Sequence, residues 1–184
     1  RIVERIICVT DNESRETRMV SNPAPHDRSG PAPFAGSVPA PRSSLAGFAL
    51  QYLGSAHSPS VLLSGVRDAI LVNAQFRRDD AAQLAHTIAA SGKHLTTIYI
   101  SAAEPQAYFG LGVLQEAFPQ ARILASCATV AAIRREAGAR VAHWGGILKH
   151  NAPRRIVLPQ PHDGASLPLE GRQIALRHLD AACQ

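Results

Sequence analysis

Apolar positions along this chain change their spacing several times, and each change marks an element. Val61-Leu62-Leu63 and Ala69-Ile70-Leu71-Val72 are strand-length runs separated by Ser64–Asp68, which reads as a turn between two strands. Asp79 or Asp80 then offers a helix N-cap. Ala81, Leu84, Ala85, Ile88 and Ala89 follow at helical spacing, and Gly92 stops the helix. Thr97-Ile98-Tyr99-Ile100 is short, β-branched and apolar, a buried strand. Residues 108–118 read as a helix ended by Pro119, 121–125 as a strand, and 129–137 as a helix ended by Gly138. Ile156-Val157-Leu158 reads as a strand, and 167–169 with 174–176 as a hairpin turned at Glu170-Gly171. Strands alternating with helices, closed by a hairpin, predict an α/β layer fold.

The first quarter of the chain has another texture. Six of the thirteen prolines fall within residues 21–43, among Ser, Gly and Ala. Proline fixes φ and removes a backbone donor, so the stretch reads as a linker or extended segment. Residues 1–44 are expected to be a largely disordered Pro/Ser-rich leader, and 45–184 a domain. The chain opens on Arg1, and its one methionine, Met19, is a candidate translation start. Residues 1–9 are too short and too soon followed by charges to read as a signal peptide.

Composition narrows the partners. Hydrophobic residues make up 46% of the 184 and charged residues 18%, a globular balance, and no apolar run is long enough to span a membrane. The net charge of +5 permits an acidic partner. However, the basic pairs Arg77-Arg78, Arg134-Arg135 and Arg154-Arg155 are scattered, and aromatics reach only 5%, which argues against nucleic acid. Cys8, Cys127 and Cys183 are too far apart for a metal or redox pair. Three unpaired thiols and no signal peptide favour a cytoplasmic location.

Chemistry is sparse. The eight histidines (26, 57, 86, 94, 143, 150, 162 and 178) form neither HxH nor HxxxH. His86 reads as a helix-surface residue, His94 as a loop residue and His162 as part of a turn. Gly110 and Gly112 do not form a phosphate loop. Ser101, at a strand end, has no motif partner and reads as a cap or turn serine. Cys127 reads as a small buried residue, the alternative being a helix-start nucleophile. Tyr108, Phe109 and Trp144 read as core, with Trp144 at a pocket mouth as the alternative.

From Val61 to about Leu179 the order of elements and the local sequence resemble the N-terminal half of the metallo-β-lactamase superfamily. Ala69–Phe76 resembles the strand that opens that domain. Thr97–Ser101 leads into Ser101–Leu111, where the family carries Thr/Ser-His-x-His-x-Asp-His followed by a glycine that opens a helix. Arg122–Ser126, the helix from Thr129, and the segments at His143–Gly145 and Asn151–Pro159 continue the likeness.

The resemblance implies a mixed β-sheet with helices on one face, half of an αββα sandwich, and zinc as the family's metal. It also exposes a departure. At the motif positions stand Ala102, Glu104, Gln106 and Ala107. Alanine offers no lone pair, glutamine is a poor ligand beside histidine or carboxylate, and Glu104 alone remains as a weak candidate. Asn73 departs too, since an aspartate is usual where that strand ends. The later half of the family domain supplies further ligands. His178 and Asp180 lie near one such position without a safe alignment.

The expectation is therefore a protein of hydrolase ancestry without zinc catalysis and with no cofactor. The alternatives are a residual metal-dependent hydrolase and a non-catalytic interaction module. A lone half would leave one apolar sheet face uncovered, and that face is expected to draw a second copy or a complementary chain.

Overall fold

The computed structural model describes residues 43–45, 48–55 and 58–176. The expected leader, apart from its last two residues, and His26, His57, His178, Asp180, Met19, Cys8 and Cys183 lie outside the described residues. Nine strands and four α-helices are described: β1 (Ser43–Leu45), β2 (Phe48–Ser55), β3 (Ser58–Ser64), β4 (Asp68–Val72), α1 (Arg78–Ala90), β5 (His94–Ile100), α2 (Pro105–Tyr108), α3 (Leu111–Ala117), β6 (Arg122–Ala125), α4 (Cys127–Leu148), β7 (Gln160–Pro161), β8 (Ser166–Leu169) and β9 (Arg172–Ala175).

Strands β1 to β7 form one sheet in sequence order. The first four pair antiparallel, and β4 to β7 pair parallel through helical crossovers. Successive side chains point to opposite faces of a strand, and the apolar pairs divide accordingly. Leu62, Leu71, Ile98 and Ile123 join the core beneath the helices. Their neighbours Leu63, Ile70, Tyr99 and Leu124 join a second core on the opposite face. Buried residues of all four α-helices belong to the first core, so the helices occupy one face, as the resemblance implied.

The second face is not bare. β8 and β9 form a separate two-stranded sheet that lays Leu167, Leu169 and Ile174 over it. The expectation of an uncovered apolar face is corrected at this point, because the chain's own hairpin covers it. Among the described residues, the large hydrophobics left exposed are Val66, Ile147 and Leu158, which are scattered. No described helix is long and apolar enough to cross a membrane.

Several boundaries differ from the sequence reading. β2 was not anticipated: Gln51, Gly54 and Ser55 interrupt its apolar pattern. Neither Asp79 nor Asp80 is the N-cap of α1. Arg77 takes that position without a side-chain cap, and the two aspartates sit in the first turn. The orphan Asp79 N–H instead donates to Asn151 Oδ1 at 3.0 Å, a cap supplied from 72 residues away. His94 opens β5 rather than lying in a loop, and its ring faces Asp68 at 3.4 Å. The single helix expected over 108–118 is two, α2 and α3, broken at Phe109-Gly110. α4 does not end at Gly138 but runs to Leu148, because Val141, Trp144 and Leu148 extend its buried stripe by helical steps. Residues 156–158 form no strand. The last parallel pairing falls at Gln160–Pro161, where Leu124 and Ala125 find partners.

Candidate functional site

In an open α/β sheet the carboxyl ends of the parallel strands are where loops converge on a ligand. Here that edge is built by residues 73–77 after β4, 101–104 after β5, 126–127 after β6 and 162–165 after β7. Asn73 and Gln75 both take left-handed backbone, at φ 63° and 72°. Asparagine tolerates this region, whereas glutamine does so only when its surroundings hold it.

Those surroundings are specific. The Asn73 N–H donates to Tyr99 O at 2.9 Å. Its Oδ1 accepts from the Ser101 N–H at 3.1 Å and from Ser101 Oγ at 3.0 Å. Asn73 thus ties β4 to the loop that leaves β5. Ser101 acts here as a turn serine satisfied by an amide oxygen. Gln75 is fully buried, and its Nε2 donates to Ser60 Oγ at 2.7 Å while Ser60 Oγ donates to Asn73 O at 3.0 Å. Gly54, at φ 90°, passes so close to the Gln75 amide that a Cβ there would lie 2.1 Å from Nε2.

The stretch from residue 101 to 110 packs against this loop through its backbone. Ser58 Oγ donates to Gln106 O at 2.9 Å, the Ala74 N–H to Ala107 O at 2.7 Å, and the Gly110 N–H to Gln75 O at 3.0 Å. Gly110 is required by this contact, because an added Cβ would fall 1.9 Å from Ala74 O. Ala107 is buried, Ala102 and Gln106 are half-buried, and Glu104 is exposed. Glu104 stands 3.9 Å from Arg140 of α4, while Arg140 pairs more closely with Glu136 at 3.2 Å.

Tyr108 lies beneath this ion-pair group. Burial pushes its hydroxyl up to about 12, with Glu136 and Glu104 adding to the rise and Arg140 opposing it. Its Oη has no hydrogen-bond partner among the described residues. Phe109 stacks on Phe76 at 5.7 Å, and Trp144 meets Phe76 edge-on at 5.1 Å. Tyr108 and Phe109 are core as expected, while half-buried Trp144 closes the cluster from α4.

Cys127 is corrected on its reading as a small buried residue. It is exposed rather than buried, and its thiol is pushed up, first by a hydrogen bond with the Asp163 side chain. Asp163 Oδ1 also accepts from the Cys127 N–H at 2.9 Å, so the carboxylate, not a thiolate, answers the α4 N-terminus. The helix is capped as well by Ser126 Oγ, which accepts from the Thr129 N–H.

No protein-family model matches the sequence, and no curated protein matches it. Solved structures do. A mutant of the HARLDQ-motif metallo-β-lactamase from Cronobacter sakazakii superposes over 74% of this chain and 53% of its own, with TM-score 0.50 and 25% identity. The described chain is a partial metallo-β-lactamase fold. The HARLDQ-motif structure of the same organism follows at TM-score 0.49 and 25% identity, over 68% of this chain and 45% of that one. The metallo-β-lactamase FIM-1 from Pseudomonas aeruginosa stands further off, at TM-score 0.40 and 13% identity over 54% and 47%. The chain spans about half the length of these structures.

Within the metallo-β-lactamase fold, the residues gathered at this edge do not suit zinc. The Ala102 and Ala107 side chains have no donor atoms, Gln106 offers a neutral amide, and Glu104 lies beside Arg140. Among the described residues, no three His, Cys, Asp or Glu side chains are grouped to hold a metal ion. The described histidines are dispersed: His94 faces Asp68, His150 faces Asp79 and His162 contacts Ser166 O. Asn73 and Gln75, rather than the residues at 102, 104, 106 and 107, organise the edge. Asn73 had been singled out as standing where an aspartate is usual, whereas Gln75 carried no signal beyond a polar residue shortly after an apolar strand.

Proposed function

We propose that this chain is a metallo-β-lactamase-fold protein of hydrolase ancestry that does not perform zinc-dependent hydrolysis with the loop after β5. The observation that carries the reading is the donor set of that loop: Ala102, Glu104, Gln106 and Ala107 supply one exposed carboxylate, already beside Arg140. A catalytic zinc needs about three protein ligands and an open position. The backbone of the same loop is engaged by Ser58 and Ala74, which suits a structural joint. An interaction role for the second sheet face would require the β8–β9 hairpin to move off it.

The test is zinc content per chain after purification without tags, for the parent and for a variant carrying Ala102→His, Glu104→His, Gln106→Asp and Ala107→His. The parent is expected to hold far less than one zinc, and the variant about one, as a real site would. A parent with about one zinc per chain would overturn the reading. If neither binds zinc while the variant stays folded by circular dichroism, these positions are not the family's motif.

A further inference from the structure

The β8–β9 hairpin shares no strand pairing with the seven-stranded sheet. Its ladder is internal, from Ser166↔Ala175 to Leu169↔Arg172, and the Leu176 N–H to Ala165 O bond closes its base. A lone two-stranded hairpin is marginal in water, so its order depends on its attachments. Three apolar side chains, Leu167, Leu169 and Ile174, rest on the second sheet face. The Arg172 guanidinium stands 5.3 Å from the centre of the Phe48 ring.

A further attachment is at the tip. Glu170 accepts from three consecutive backbone N–H groups of the β3–β4 turn: Val66 at 2.9 Å, Arg67, and Asp68 at 2.8 Å. Converging backbone N–H groups make an anion cradle, and hydrogen bonds to a carboxylate are the stronger kind. Gly65 makes room for it, since a Cβ there would lie 2.5 Å from the Glu170 carboxyl carbon. Glu170 and Gly171 have φ 50° and 80°, the two positive values of a type I′ turn, where Asn, Asp or Gly is usual. A glutamate at that position is locally disfavoured, and the cradle is what offsets it.

At the other end, His162 and Asp163 are fixed to the sheet and to α4, by the His162 N–H to Ala125 O and the Cys127 N–H to Asp163 Oδ1 bonds. Gly164 stands between these anchors and the base of the hairpin. A bond spans it between His162 Nε2 and Ser166 O at 3.0 Å.

We propose that the hairpin is a detachable strap, latched at its tip by Glu170 and swinging about Gly164, which opens as a unit and uncovers the second apolar face while the helix-covered core stays folded. Structures open in cooperative units whose stabilities differ, and this unit has its own ladder, three buried apolar anchors among the described residues and a charged latch at its tip. Its opening exposes side chains such as Leu63, Ile70 and Tyr99, which are buried in the closed state.

Native-state hydrogen exchange on the full chain, across low denaturant, tests this. The amides of Leu167, Leu169 and Ile174 are expected to exchange through an opening smaller than the one that releases Leu71, Ile98 and Ile100. Glu170→Ala should weaken hairpin protection by about tenfold or more, the scale of losing hydrogen bonds to a charged group, while β4 and β5 change less. Gly65→Ala should act in the same direction by displacing the carboxylate. If hairpin and sheet amides exchange through one common opening in the parent, the strap is overturned, and that result stands even if neither variant folds. Unchanged hairpin protection in a folded Glu170→Ala would equally overturn it.

Discussion

Glu170 sits in a turn position that its side chain does not favour, and it is held there by three backbone donors 102 to 104 residues away. The hydrogen bonds from Asp68, Arg67 and Val66 lower its carboxyl to about 2. An unfolded glutamate titrates near 4.3, so the folded value is depressed. Its contribution to stability is therefore complete above about 4.3 and is lost as pH falls toward 2. Thermal melts should show a gap between the parent and Glu170→Gln at pH 6 that narrows below pH 4 and closes near 2. Cys127 gives a second residue-scale prediction. Because Asp163 raises its thiol pKa, alkylation followed by peptide mass analysis should find Cys127 slow at neutral pH and faster in Asp163→Asn. At Gly110, where a Cβ would strike Ala74 O, Gly110→Ala should cost about 1–3 kcal/mol in denaturant unfolding, the range for overpacking.

Elements were legible where apolar spacing was clean. α1, β5, β6 and the hairpin fall close to the positions their patterns predicted. β2 was missed because its alternation is broken by polar residues and a glycine. α4 was cut short because Gly138 reads as a stop, although nothing at that position ends the helix. A helix-interior glycine costs about 1 kcal/mol relative to alanine, and the packing of Val141, Trp144 and Leu148 overrides it. Gly138 has no atom within 4 Å of an added Cβ and no positive φ. Gly138→Ala should therefore stabilise the protein by about 0.5–1 kcal/mol, read from the denaturant midpoint at unchanged slope. In contrast, the α2–α3 break follows from Gly110, whose N–H bonds to Gln75 O instead of extending one helix.

For the whole molecule, the order of strands and helices was enough to expect an α/β layer fold, the family resemblance narrowed it to half of an αββα sandwich, and the matched structure carries that fold. Local sequence also marked the segment after β5 as the place to look for a metal motif, and it placed Ala102, Glu104, Gln106 and Ala107 there. Those conclusions were available from sequence because periodicity and side-chain chemistry are local properties, readable over a few residues. Tertiary structure alone decided which face each apolar residue occupies and that the second face is covered by the chain's own hairpin. It also decided that Asn151 caps α1 and that Asn73 and Gln75 are held in left-handed backbone. Each of these depends on groups many residues apart meeting within hydrogen-bond or van der Waals distance, and no local pattern encodes such a meeting.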